Sequence, residues 1–204
     1  MEIKVIDNGL ILKNIEDFNA THIFECGQCF RWGKEPDDSY TGVAFGKVIN
    51  VKSWEEKKEV RILNTTIQEF YDIWFEYFDL GRDYGDIKRK LSEDMVMRKA
   101  IEYGSGIRIL KQDPWEILLS FIISANNRIP MIARSISLLS QMYGKPIEYN
   151  GKTYYSFPTI EELAKAELED ISKCRAGFRC KYIFEAVKMV SEGIIDLDYI
   201  KSLE

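Results

Sequence analysis

Val60-Arg61-Ile62-Leu63-Asn64-Thr65-Thr66-Ile67-Gln68-Glu69-Phe70-Tyr71-Asp72-Ile73-Trp74 is the stretch in which the sequence changes its period. Val60 to Leu63 closes a series of short apolar or alternating runs, the signature of antiparallel strands. From Ile67 onward the apolar positions Ile67, Phe70, Tyr71, Trp74, Tyr77 and Phe78 fall at helical spacing. Thr66 and Glu69 stand three apart as a capping box, which fixes where the helix begins. The aromatic stripe reads as core. The chain is therefore expected to be α+β, with an antiparallel β-sheet domain over 1–65 and an all-α domain over 66–204.

Working toward the N-terminus, Ile3 and Val5, Leu10 to Leu12 and Ile23-Phe24 are short apolar runs, and Asp7-Asn8-Gly9 is a turn signal. A short helix is expected near Ile15 to Phe18. Cys29-Phe30-Arg31-Trp32 alternates like a strand, and Tyr40 to Val51 carries β-branched and aromatic residues before a charged tip at Glu55 to Glu59. Toward the C-terminus a helix is expected to start near Ser92, with Glu93 and Asp94 facing the positive end of its dipole, and to stop at Gly104-Ser105-Gly106. Asp113 caps the next helix, with Pro114 at its first position. Another runs from Pro130 to about Tyr143, with Gly144 at its end. Thr159 and Glu162 form a second capping box. Gly177 precedes a helix from about Arg179 to Glu192 closed by Gly193, and Asp196 caps a final amphipathic turn.

Composition narrows the class. Of 204 residues, 46% are hydrophobic and 30% charged, as in an ordinary globular chain. No signal-peptide pattern opens the sequence, and the longest apolar run, Trp115 to Ile123, is too short for a bilayer. A cytoplasmic protein without membrane contact is expected. The net charge of −5 speaks against a basic surface spread over the whole molecule, although Lys88, Arg89, Lys90, Arg98 and Lys99 concentrate locally. That concentration is equally well a solvated helix face. Cys26 and Cys29 have zinc or redox spacing, but Cys174 and Cys180 lie outside the usual zinc spacing and His22 is the only histidine. Reduced thiols, no metal and no cofactor are expected.

Ser124-Ala125-Asn126-Asn127-Arg128-Ile129-Pro130-Met131 separates two helical patterns. Two adjacent amides need hydrogen-bond partners, so they either cap the preceding helix or present polar groups at a surface. Familiar hydrolase, phosphate-loop and zinc-protease motifs are absent from the sequence.

Gly27-Gln28-Cys29-Phe30-Arg31-Trp32 resembles the Gly-Gln-Ser/Cys-Phe-Arg-Trp signature of the 8-oxoguanine DNA glycosylases, members of the helix-hairpin-helix superfamily. Gln112-Asp113-Pro114 followed by Phe121-Ile122-x-Ser124-x-Asn126-Asn127 resembles their second signature. Tyr154-x-x-Phe157-Pro158 and Gly177-Phe178-Arg179 match in order. The resemblance implies a β domain like the TATA-binding protein followed by helices, and base-excision repair of double-stranded DNA by a monomer that flips out 8-oxoguanine. It implies that the Gly27 carbonyl accepts from the lesion's N7–H, where guanine carries a lone pair. It assigns Asn126 to the gap left by the flipped base, Phe178 to a wedge beside the opposite base, and Arg179 to reading that base. Met131 stands where the family has a second reading Arg, so weaker discrimination of the opposite base is expected. The family's hairpin, its Schiff-base Lys and its assisting Asp find no match here, so no catalytic residue is expected within these residues. The chain alone is expected to be inactive, a fragment ending before the hairpin. Two other readings are an alkylpurine glycosylase and a non-catalytic DNA- or partner-binding domain.

Overall fold

The computed structural model describes residues 1–203, so Glu204, the last residue of the expected helical domain, lies outside the described residues. The chain divides into two compact units. One comprises 1–42 and 49–111, the other 43–48 and 112–203. The change from strand to helix follows Leu63, whereas the units divide at 111/112.

β1 (Glu2–Ile6), β2 (Gly9–Lys13), β3 (Trp32–Lys34), β4 (Tyr40–Ala44), β5 (Lys47–Trp54) and β6 (Glu59–Leu63) form one sheet in the order β1-β2-β6-β5-β4-β3. Its pairs are antiparallel, with Leu10 opposite Ile62 and Leu12 opposite Val60. These four side chains are buried, and their spacing of two puts them on one face. As expected from the sequence, an antiparallel sheet is followed by helices. Local differences have local causes. The first helix is α1 (Ala20–Phe24), not 15–18, because Asp17 adopts a left-handed backbone (φ 55°) and Asn19 caps the helix by accepting from the His22 N–H. The strand expected over Cys29 to Trp32 begins only at Trp32, since 25–31 is given over to a turn.

The capping box at Thr66 and Glu69 is formed. It opens α2 (Ile67–Glu69), which runs on through a π-helical turn (Phe70–Trp74) into α3 (Phe75–Tyr77). The wider π turn shifts the phase of the stripe. Phe70, Trp74, Tyr77 and Phe78 are buried, while Ile67 and Tyr71, expected in the core, are exposed. The Trp74 indole donates to Thr65 Oγ1 at 3.0 Å, so its polar edge is satisfied. Phe78 meets Phe18 edge-on, with ring centroids 5.4 Å apart.

The helix expected from near Ser92 to Gly104 is present as α5 (Met95–Tyr103), capped by Asp94, and an unexpected helix, α4 (Tyr84–Leu91), capped by Asp83, precedes it. Much of the local basic cluster is committed there. Lys88 pairs with Asp17, Arg89 and Lys90 with Asp86, and Arg98 donates to the Ser92 carbonyl.

The second unit contains α6 (Pro114–Ser124), α7 (Ile129–Tyr143), α8 (Ile160–Leu163), α9 (Leu168–Ser172), α10 (Arg179–Ser191) and α11 (Leu197–Lys201). Asp113 caps α6 through the Trp115 and Glu116 N–H groups, and the Thr159/Glu162 capping box opens α8. This region is not all-α. β7 (Pro146–Tyr149) and β8 (Lys152–Tyr155) form a hairpin whose Asn150-Gly151 turn has both residues at positive φ, the geometry that the Asn-Gly pair favours. No helix among the described residues is long and apolar enough to cross a membrane.

Gly42 shows how tightly the first unit is built. A β-carbon there would meet the Trp32 ring at 2.2 Å. Gly42→Ala is expected to lower stability by about 1–3 kcal/mol through overpacking, read as a lower urea midpoint. An unchanged midpoint would mean that the contact is slack.

Candidate functional site

The sequence-selected residues fall into two groups, one in each unit. The first is the turn after α1. Glu25 ends the helix, and Gly27 takes φ 86°, a conformation in which only glycine is unstrained. Gly27 is exposed, and a β-carbon there would touch nothing within 4 Å. Its backbone is therefore open to an approaching group.

Gln28 holds this turn in place. Its Nε2 donates to the carbonyls of Ile23 and Arg108, each at 2.9 Å, and its Oε1 accepts from the Leu110 N–H at 2.8 Å. The side chain acts like a piece of strand between two segments eighty residues apart. Arg108 is itself buried, with its guanidinium donating to the carbonyls of Asp79 and Glu16 and lying 4.6 Å over the Tyr84 ring. Burial lowers its pKa below the usual arginine value. Trp32 stacks on Phe24 at 4.0 Å and donates from Nε1 to the Tyr77 hydroxyl at 2.9 Å. Sequence reasoning quoted Gln28 and Trp32 but assigned them no role, and Arg108 gave no signal, since its acceptors are backbone carbonyls.

The second group is the turn between α6 and α7. The last four carbonyls of a helix lack partners within it. Here Ser124 Oγ donates to Phe121 O, Ala125 N to Ile122 O, Asn127 Nδ2 to Ile123 O and Asn127 N to Ser124 O, at 2.8 to 3.3 Å. The helix end is fully satisfied. Asn126 stands at φ 49°, a left-handed residue, and its side chain is exposed with no partner among the described residues. The two amides divide the two readings of the sequence. Asn127 is the cap, and Asn126 is presented to solvent.

Arg179, at the start of α10, is 8% exposed. Its Nε donates to Ala125 O and Nη2 to Asn126 O, both at 2.7 Å, and Nη1 donates to Ala176 O at 3.1 Å. The Phe178 ring lies 4.5 Å from the guanidinium carbon and is 60% exposed. Tyr182 meets that ring edge-on at 6.4 Å. Met131, in the first turn of α7, is 40% exposed. Arg179 thus links the Asn126 backbone carbonyl and the Phe178 ring into one constellation. Exposed Phe121 and Ile129 lie on the same helix ends, and Tyr182 beside them carried no sequence motif.

The Cys26/Cys29 pair is split, with Cys26 exposed and Cys29 buried, and all four cysteines are free thiols. Among the described residues no group of three or more His, Cys, Asp or Glu is placed to hold a metal ion. Burial, with the Cys180 thiol alongside, pushes the Cys174 thiol up to about 12.

Residues 10–118 match a family model described as the N-terminal domain of 8-oxoguanine DNA glycosylase. The N-glycosylase/DNA lyase of Saccharomyces cerevisiae is 46% identical over 90 residues, 43% of this chain and 24% of that protein. The chain spans between 24% and 45% of the curated relatives it matches. Two solved structures superpose closely. MBOgg1 in complex with a low-affinity DNA ligand is 51% identical with a TM-score of 0.96. The Clostridium acetobutylicum 8-oxoguanine glycosylase/lyase, in complex with double-stranded DNA containing cytosine opposite 8-oxoG, is 48% identical with a TM-score of 0.97. Each comparison covers all of this chain and 70% of the other.

Two outcomes are expected. Gln28→Ala removes three hydrogen bonds and should cost about 2–3 kcal/mol of stability, and Gln28→Glu, which cannot donate, should not restore it; a neutral Gln28→Ala in urea denaturation would contradict the anchoring role. In the native chain a thiol reagent should label Cys26 rapidly, and the three buried thiols only after unfolding. Two fast thiols would contradict the burial.

Proposed function

Because the chain belongs to the 8-oxoguanine DNA glycosylase family, we propose that it carries the lesion- and duplex-recognition part of a base-excision repair enzyme removing 8-oxoguanine from double-stranded DNA. The observation that carries the reading is the Asn126 turn: an amide with no partner among the described residues, in a left-handed turn held by the guanidinium that also carries the exposed Phe178 ring, at the end of a fully satisfied helix. A flipped base leaves a gap lined by the hydrogen-bonding edge of the opposite base across it and by stacked rings above and below. An amide and a ring of this size suit those two surfaces.

In this proposal Gly27 offers its carbonyl to the N7–H of 8-oxoguanine. Guanine presents an acceptor at N7, so the same carbonyl repels it. The open space beside Gly27 supports this role. Asn126 fills the gap, Phe178 wedges beside the opposite base, and Met131 gives an apolar contact where a reading Arg would impose a base. Arg179 is assigned to the opposite-base side of the gap. Cleavage of the glycosidic bond and the β-lyase step are assigned to a Lys Schiff base that no residue of this sequence is read to supply.

The proposal includes the division into a β domain (1–65) and a helical domain (66–204), action as a monomer, and a cytoplasmic location near the nucleoid. Four free thiols suit a reducing compartment.

The test is fluorescence anisotropy with duplexes bearing 8-oxoguanine or guanine opposite cytosine. The chain is expected to prefer the lesion about tenfold, a difference of about 1.4 kcal/mol, and Gly27→Ala is expected to abolish the preference while leaving the fold intact. Borohydride treatment of the same mixtures should trap no covalent adduct. Equal affinity for both duplexes would overturn the recognition role, and a trapped adduct would place the nucleophile within these residues.

A further inference from the structure

We propose that Arg179 serves recognition through Asn126, as a positioning residue that builds the Asn126 turn before DNA arrives. The inference rests on the reading of Asn126 as the residue entering the gap, and it changes what Arg179 does there.

A guanidinium has five N–H groups. Three of them are committed to the carbonyls of Ala125, Asn126 and Ala176. The two bonds at 2.7 Å have the short length of charge-assisted hydrogen bonds, which are roughly twice as strong as neutral ones. Their acceptors continue the series of carbonyls at the end of α6, where the helix dipole is negative and a cation is favoured. With Arg179 in place, every backbone carbonyl from Phe121 to Asn126 has a donor. The Asn126 side-chain amide has no partner among the described residues.

The turn needs such support. A left-handed Asn is more costly than a right-handed one, by about 1 kcal/mol, and a solvent-exposed loop residue would otherwise sample both. Two charge-assisted bonds on either side of the Asn126 α-carbon select the left-handed state. The same guanidinium is the surface on which the Phe178 ring rests. One buried cation therefore orients both exposed groups of the constellation. Its own exposure of 8% leaves little room to reach a base while those bonds last. A side chain fixed in advance lowers the ordering cost of binding, which is where preorganisation acts.

The experiment uses the 204-residue chain with Arg179→Ala and, because that variant could lose stability, Arg179→Gln, which keeps one donor amide. Hydrogen exchange of the free protein is read first. The Asn127 N–H, bonded to Ser124 O, should exchange about tenfold faster in both variants, while amides of Leu163 to Ile171 and of β2 and β6 keep their rates. A general loosening of the unit would accelerate all of the helical amides instead, and would overturn the specific role. Anisotropy with 8-oxoguanine opposite C, A, G and T is read second. A positioning residue predicts the same loss, about tenfold, for all four duplexes, and no further loss when Arg179→Ala is added to Asn126→Ala. A loss confined to cytosine, or full additivity of the two substitutions, overturns the proposal in favour of direct base reading. Failure of the wild-type chain to bind any of the duplexes would sink the recognition reading itself, and the exchange rates would still decide whether Arg179 builds the turn.

Discussion

Unpaired backbone carbonyls at a helix C-terminus are the constraint on which each of the two sequence-selected turns is built. A helix cannot supply donors for its last turn, so something outside it must. In α6 the Asn127 amide donates back to Ile123 O, one residue after left-handed Asn126. In α1 the Gln28 amide donates back to Ile23 O, one residue after left-handed Gly27. The two turns share a grammar: a residue at positive φ reverses the chain, and the amide that follows closes the helix. What each turn exposes differs. At 27 it is bare backbone, and at 126 it is an amide side chain.

The physical consequence is rigidity where a flexible loop would be the default. Gln28 ties its turn to 108–110, and that segment is fixed by the buried Arg108. Arg179 ties the Asn126 turn to the start of α10. In both cases long polar side chains on the backbone replace regular hydrogen bonding, and in both the satisfied polar groups are those of the framework. The chain carries a net charge of −5, and Lys88, Arg89 and Lys90 are held in ion pairs. Proposed recognition thus depends on shape and hydrogen bonding at two turns, with the phosphate contribution left to other surfaces.

The sequence made some of this legible and hid the rest for identifiable reasons. The caps at Thr66, Asp113, Thr159 and Asp196 are local, made within three residues, and they were readable as they stand. The division of labour between Asn126 and Asn127 was not, because it depends on which of two adjacent residues takes positive φ. The phase of the aromatic stripe misled, since a π turn at Phe70–Trp74 turned Tyr71 outward. α5 was readable from its Asp94 cap and Gly104 stop, whereas α4 was not foreseen because Gly85 weakens its helix signal. The Asn150-Gly151 hairpin was readable and passed over inside a helical region. Arg179 was selected through the family signature, but its bonds to the carbonyls of Ala125 and Asn126, more than fifty residues away, were not readable, and Arg108 lay beyond reach because its carbonyl partners are split between two segments.

The central claim is that the Asn126 turn enters the space vacated by a flipped base. The direct measurement is the fluorescence of 2-aminopurine placed next to 8-oxoguanine in a duplex, since a neighbouring base that loses its stack brightens. The account predicts a rise in emission when the wild-type chain is bound at saturation and no rise with Asn126→Ala at saturation. Equal emission from the two bound proteins would contradict it.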